Sequence, residues 1–190
     1  MNKRNNDNRG FSLVEIIIVV AILSIMAGVA GYGFSLSNGK PAEECAKKLS
    51  AALSHGRTVT LGKYRNIITV KMEDDGTLTV TEDTLIKVED DGSEVKPSSP
   101  RKSTVGAKGV AVAYQINGGD YDSHVMAGGD FIELQYNSGS GAMKPIAGTT
   151  DDYYTGFRIS KAGKVWYVQL ETLTGRVTAS TTDTPEKPTG

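Results

Sequence analysis

One cysteine in 190 residues, Cys45, excludes an intrachain disulfide. Any part of the protein that works outside the cytoplasm must therefore be held by packing rather than by a covalent staple. An excess of charge of either sign is missing too. The 21 basic and 22 acidic side chains leave a net charge of -1, which offers nucleic acid no electrostatic surface. His55 and His124 stand in different contexts and lack the spacing of a metal-binding pair. Ser54, Ser123 and Ser138 have no nucleophile elbow around them, and no glycine-rich phosphate loop opens a helix. The acidic runs Glu73-Asp74-Asp75 and Glu89-Asp90-Asp91, with Asp120 and Asp122, carry oxygens that suit calcium. They lack the alternating ligand spacing of an EF-hand loop, and solvated turns are the simpler reading. No catalytic residues, metal site or cofactor are expected, and the chain does not read as an enzyme.

What the chain has is one long apolar run near its start. A short basic leader with Lys3, Arg4 and Arg9 ends at Gly10. From Phe11 to Phe34 there follow 24 residues with a single formal charge, Glu15. The heart of the run is Ile16, Ile17, Ile18, Val19, Val20, Ile22, Leu23, Ile25 and Met26. About 20 such residues in a helix reach roughly 30 Å, the thickness of a hydrocarbon core. The leader's positive charges predict a cytoplasmic N-terminus, with everything after the span outside the membrane. A plain anchor, or a secretory signal peptide cut after Ala30 in the small-residue stretch Gly28-Val29-Ala30, would share most of these features. Neither accounts for Glu15. An acidic side chain costs about 2.5–3.5 kcal/mol at the centre of a span, and less near its end.

The stretch Gly10-Phe11-Ser12-Leu13-Val14-Glu15 resembles the cleavage and methylation motif of the type IV prepilin family, which includes pilins and secretion pseudopilins. The resemblance implies that a membrane prepilin peptidase cuts after Gly10 and methylates the new N-terminal residue, Phe11. It implies that the apolar segment is retained, and that the Phe11 amine lies beside Glu15 of a neighbouring subunit in a filament. Opposite charges meeting in a low-dielectric core attract strongly, so the pair would set axial register. The implied partners are other pilin or pseudopilin subunits, the peptidase, an inner-membrane assembly platform and membrane lipid. The implied location is the cytoplasmic membrane, crossed once, followed by a cell-surface filament.

The rest of the chain divides by pattern. Glycines at 28, 31 and 33 and Pro41 predict a kink or local unwinding between Gly28 and Pro41. Beyond it, Ala42, Cys45, Leu49, Leu53 and Val59 fall on one helical face, which is expected to pack on the downstream domain. A helix from Phe11 to about Val59 would be on the order of 75 Å long. From Tyr64 the period becomes two. Expected strands are Asn66–Met72, Thr77–Thr81, Thr84–Val88, Val110–Ile116, Phe131–Tyr136, Gly156–Ser160, Val165–Glu171 and Arg176–Ala179. Asp75-Gly76 and Asp91-Gly92 are hairpin-type turns. Loops Glu94–Ser103, Asn117–Gly129 and Asn137–Asp152 are expected to be exposed and mobile.

The expected class is α+β, a long helix packed on an antiparallel β-sandwich or small sheets, in the manner of a pilin. The expected divisions are a leader at 1–10, an assembly helix at 11–34, an amphipathic half-helix at 35–61, a β-rich head at 62–180 and a disordered tail at 181–190. The stretch from Cys45 to Leu61, and the closing Trp166–Leu170 and Thr174–Val177, are similar to the minor pseudopilin H and FimT-like group. Many major pilins carry a C-terminal disulfide loop, and this chain has none. From a different class, the alternative is a secreted β-rich binding or adhesin module released after Ala30.

Overall fold

The computed structural model describes residues 14–24, 40–62, 64–88, 94–95 and 99–183. Contacts divide the chain into two compact units, Met1–Ser37 and Asn38–Gly190. In the first, residues 14–24 form helix α1. The expected kink and the join of one helix to the next lie outside the described residues.

The second unit opens with α2 (Lys40–Leu61). Pro41 stands in its first turn, where its missing N–H has no intrahelical partner to lose. Glu43 faces the positive end of the helix dipole and pairs with Lys47 at 2.5 Å. Gly62 closes the other end, its N–H donating to the carbonyl of Val59 at 3.1 Å. The buried positions are Ala42, Cys45, Ala46, Leu49, Leu53, Gly56 and Thr60. Val59, expected on this stripe, is only half-buried. Spacings of three and four from Leu53 lead to Gly56 and Thr60, and Val59 falls one position off that face.

Among the described residues nine strands follow in two antiparallel sheets. The first contains β1 (Arg65–Met72), β2 (Leu78–Val88), β3 (Glu94–Val95), β4 (Arg101–Gly106) and β6 (Phe131–Gln135), in the order β3-β2-β1-β6 with β4 also paired to β2. The second runs β5-β7-β8-β9, from β5 (Ala111–Ile116), β7 (Tyr154–Lys161), β8 (Lys164–Leu170) and β9 (Val177–Ser180). The architecture is α+β. Helix α2 packs against strands of both sheets, and Leu49, Leu53, Ile68, Val70, Leu134, Phe157 and Ile159 are wholly buried in one shared core.

The β1–β2 hairpin turns at Asp75-Gly76. Asp75 Oδ1 accepts from the Thr77 N–H at 3.0 Å, and Gly76 supplies φ +79°. The Asp91-Gly92 signal lies outside the described residues.

Three expectations about strands and loops need correction. Thr77–Thr81 and Thr84–Val88 are one strand, β2, because Glu82 and Asp83 continue the ladder to β1 instead of turning. Glu94–Ser103 is not simply a loop: β3 lies in it, and β4 begins at Arg101 and pairs with β2 from Glu82 to Leu78. Two prolines masked a short Ser-Thr-Val strand there. The glycine-rich connections also contribute to the interior, since Tyr121, Met126 and Met143 are buried.

Residues 124–130 act as a strap between the sheets. The Tyr114 N–H donates to the carbonyl of His124 at 3.1 Å, and the Met126 N–H to that of Val112 at 2.9 Å. At the far end, the Met72 N–H donates to the carbonyl of Asp130 at 2.9 Å. Of the tail, residues 181–183 are described. The Tyr121 hydroxyl bonds Asp183 Oδ1 at 3.2 Å, which ties the last described residue to the 3₁₀ turn Tyr121–Ser123.

Candidate functional site

Helix α1 carries Val14, Glu15, Ile16, Ile17, Ile18, Val19, Val20, Ala21, Ile22, Leu23 and Ser24. β-Branched residues of this kind lower helix propensity, so propensity alone does not account for the helix. All of its side chains are exposed, with Ile17 and Leu23 each at 59%. Fully burying one such aliphatic side chain is worth about 1.5–3 kcal/mol, and here no face of the helix is polar. A helix apolar all round belongs inside something larger, whether lipid or protein. The Ser24 hydroxyl donates to the Val20 carbonyl at 2.8 Å, so the one serine meets its hydrogen-bonding need within the helix.

Glu15 stands among these residues, exposed, as the one charged side chain of α1. The structure thus brings Glu15, Ile16, Ile17, Ile18, Val19, Val20, Ile22 and Leu23 onto one short helix. Gly10, Phe11, Ile25 and Met26 lie outside the described residues. Residues 14–24 extend about 16 Å at the usual helical rise. Among the described residues no helix is long and apolar enough to cross a membrane.

Elsewhere the chemically capable side chains are engaged with one another. Cys45 is wholly buried, and burial pushes its thiol up to about 12, against the opposing effect of Lys48. Such a thiol behaves as a small hydrophobe. His124 lies against the Tyr114 ring at 4.9 Å. His55 Nδ1 is 2.6 Å from Oε2 of the buried Glu82, a pairing that sequence spacing could not reveal. Glu73 meets Lys102 at 2.6 Å and Lys71 at 3.1 Å, and accepts from the Thr79 hydroxyl at 2.9 Å. Those hydrogen bonds, Lys102 first, hold its carboxyl down at about 2. Asp75 pairs with Lys108 at 3.2 Å, and Asp122 with Arg158. Lysine or arginine thus meets Glu73, Asp75 and Asp122, and Asp120 Oδ1 accepts from the Asp122 N–H at 3.0 Å, while Glu89-Asp90-Asp91 lie outside the described residues. Among the described residues no group of three or more His, Cys, Asp or Glu side chains is placed to hold a metal ion.

Sequence reading also missed Arg57. Its Nε donates to the carbonyls of Thr174 at 2.8 Å and Gly141 at 3.3 Å, joining α2 to the β8–β9 turn and to the β6–β7 connection between the sheets.

Residues 5–31 match a family model described as the prokaryotic N-terminal methylation motif. The matched stretch includes Gly10, Phe11, Glu15 and the whole of α1. No curated protein and no solved structure matches the chain.

Proposed function

From a chain that carries a prokaryotic N-terminal methylation motif at residues 5–31, we propose a pilin-like structural subunit of a type IV pilus or secretion pseudopilus. The leader 1–10 is removed after Gly10 by a prepilin peptidase, which then methylates Phe11. Residues 11–34 stay in the cytoplasmic membrane with their N-terminus in the cytoplasm. The amphipathic stretch 35–61, the head 62–180 and the tail 181–190 lie outside. An assembly platform in the membrane passes the subunit from lipid to a surface filament made of related subunits.

The observation that carries this reading is α1 itself: an exposed helix, apolar on every side, with a single carboxylate, inside the matched motif. Lipid satisfies its apolar surface before assembly, and neighbouring helices satisfy it afterwards. The new amine of Phe11 meets Glu15 of the next subunit, so an isolated carboxylate is penalised and a correctly placed one specifies register. A minor subunit akin to the pseudopilin H and FimT-like group is favoured by two features: the single cysteine, and the short passage from α2 into β1.

Mass analysis of the natural protein's N-terminus tests the maturation step. A methylated Phe11 is expected; a chain starting at Gly31 would replace this reading with a secreted module. Glu15→Gln is expected to leave cleavage intact and to impair incorporation into filaments. Normal incorporation of that variant would overturn the register role.

A further inference from the structure

We infer that the C-terminal segment of α2, Ser54 to Leu61, opens separately from the rest of the second compact unit, latched at its flanks by His55 and Arg57. The inference stands apart from the assembly reading.

The two halves of the helix bury different things. Up to Leu53 the inner face is Ala42, Cys45, Ala46, Leu49 and Leu53, all wholly buried apolar side chains. Beyond Leu53 the buried positions are Gly56 and Thr60. Gly56 brings the backbone so close to β1 that a Cβ there would overlap Ile68 and stand 3.2 Å from Asn66 Nδ2. The second half therefore has little apolar surface to lose on leaving.

Beneath it lie polar groups without hydrogen-bonding partners. Asn66 and Tyr136 are each 2% exposed, and among the described residues neither the Asn66 amide nor the Tyr136 hydroxyl has a partner. The pairing of Ile67 with Gln135 brings Asn66 and Tyr136 to neighbouring positions on β1 and the end of β6. Buried polar groups in this condition penalise the closed state, and hydration on opening relieves them. Glu82 would regain water as well.

What keeps the segment closed is polar and peripheral. His55 Nδ1 meets Glu82 Oε2 at 2.6 Å on one flank. Arg57 Nε holds the carbonyls of Thr174 and Gly141 on the other. The Thr58 and Thr60 hydroxyls donate back to the carbonyls of Ser54 and Gly56, both at 2.9 Å, so they fasten the helix to itself and not to the sheets. Opening breaks the flank contacts while Leu49 and Leu53 keep the first half in place.

Native-state hydrogen exchange on the full chain in detergent micelles tests this. Amides 56–61 are expected to exchange at least about tenfold faster than amides 45–53, through one shared opening step. Arg57→Ala should speed exchange of 56–61 by a further tenfold or so and leave 45–53 unchanged. Tyr136→Phe, which removes an unpartnered hydroxyl and keeps the ring, should slow exchange of 56–61 about threefold. Ordinary fraying would instead rise steadily towards Leu61 and ignore Tyr136. Uniform protection along α2, equal acceleration of both halves by Arg57→Ala, or no slowing with Tyr136→Phe would each overturn the inference.

Discussion

Residues 14–24 and Lys40–Leu61 are both helical, yet every side chain of the first is exposed, whereas seven positions of the second are buried within its own unit. The first is the more apolar of the two. What separates them is arrangement. In α2, charged residues such as Glu43, Glu44, Lys47 and Lys48 alternate with apolar ones at helical spacing, so one side turns inward and the other meets water. In α1 the run Ile16 to Val20 leaves no side for water, and the unit it belongs to offers no described partner for it. Burial within a chain follows from having two unlike faces. A helix with one kind of face all round needs a surface from elsewhere.

The sharpest way to break this contrast is to cut into the buried stripe. Leu49→Ala removes a wholly buried side chain and should cost about 2–5 kcal/mol, read from denaturant unfolding followed by the single tryptophan, Trp166. A loss below about 1 kcal/mol would mean the stripe is not the seam holding α2 to the sheets. Gly56→Val probes the close approach to Ile68 and should cost about 1–3 kcal/mol, since the helix must move off the strand to admit the new side chain.

The Glu73 cluster joins the end of β1 to Lys102 of β4 and adds a pH test to the same unfolding measurement. Its carboxyl sits at about 2 in the folded protein against an ordinary value of 4.5. Because the folded value is depressed, the contribution is fully present above about 4.5 and is lost as pH falls from there through about 2. Glu73→Gln should flatten the unfolding midpoint over that window while leaving the profile near neutrality unchanged in shape. An identical acid limb in the variant would remove Glu73 from the account. The smallest effect belongs to α1. Ile17→Ser should change the second unit's unfolding free energy by less than about 0.5 kcal/mol. A shift matching that of Leu49→Ala would show that α1 shares the core and would dissolve the contrast.

Legibility in the sequence followed how local each signal was. The α2 stripe could be read from spacing at Ala42, Cys45, Leu49 and Leu53, but Gly56 and Thr60 have no hydrophobic signature and were passed over in favour of Val59. Strand β1 announced itself by alternation, with every second residue buried from Asn66 to Met72. Strand β4 did not, because half of its residues face water and Pro100 precedes it. Buried Tyr121 and Met126 sit among glycines and aspartates that read as loop; the bond of Met126 to Val112 of β5 and the contact of Tyr121 with Tyr167 of β8 are long-range and make them part of the interior. The N-terminal motif is the most legible feature, because it is written in consecutive residues, and residues 5–31 match the methylation-motif model. The His55–Glu82 and Arg57 contacts join positions 27, 84 and 117 apart in the chain and leave no trace in any short window.

Cys45 gives the second compact unit a built-in reporter. Its sulfur sits under β4, where a Cβ on Gly106 would come within 2.9 Å of it. Thiol reagents need the ionised, accessible sulfur, and the folded protein withholds both. Alkylation of the native chain therefore keeps time with exposure of the first half of α2, and a single added mass counts each molecule in which that half has come away.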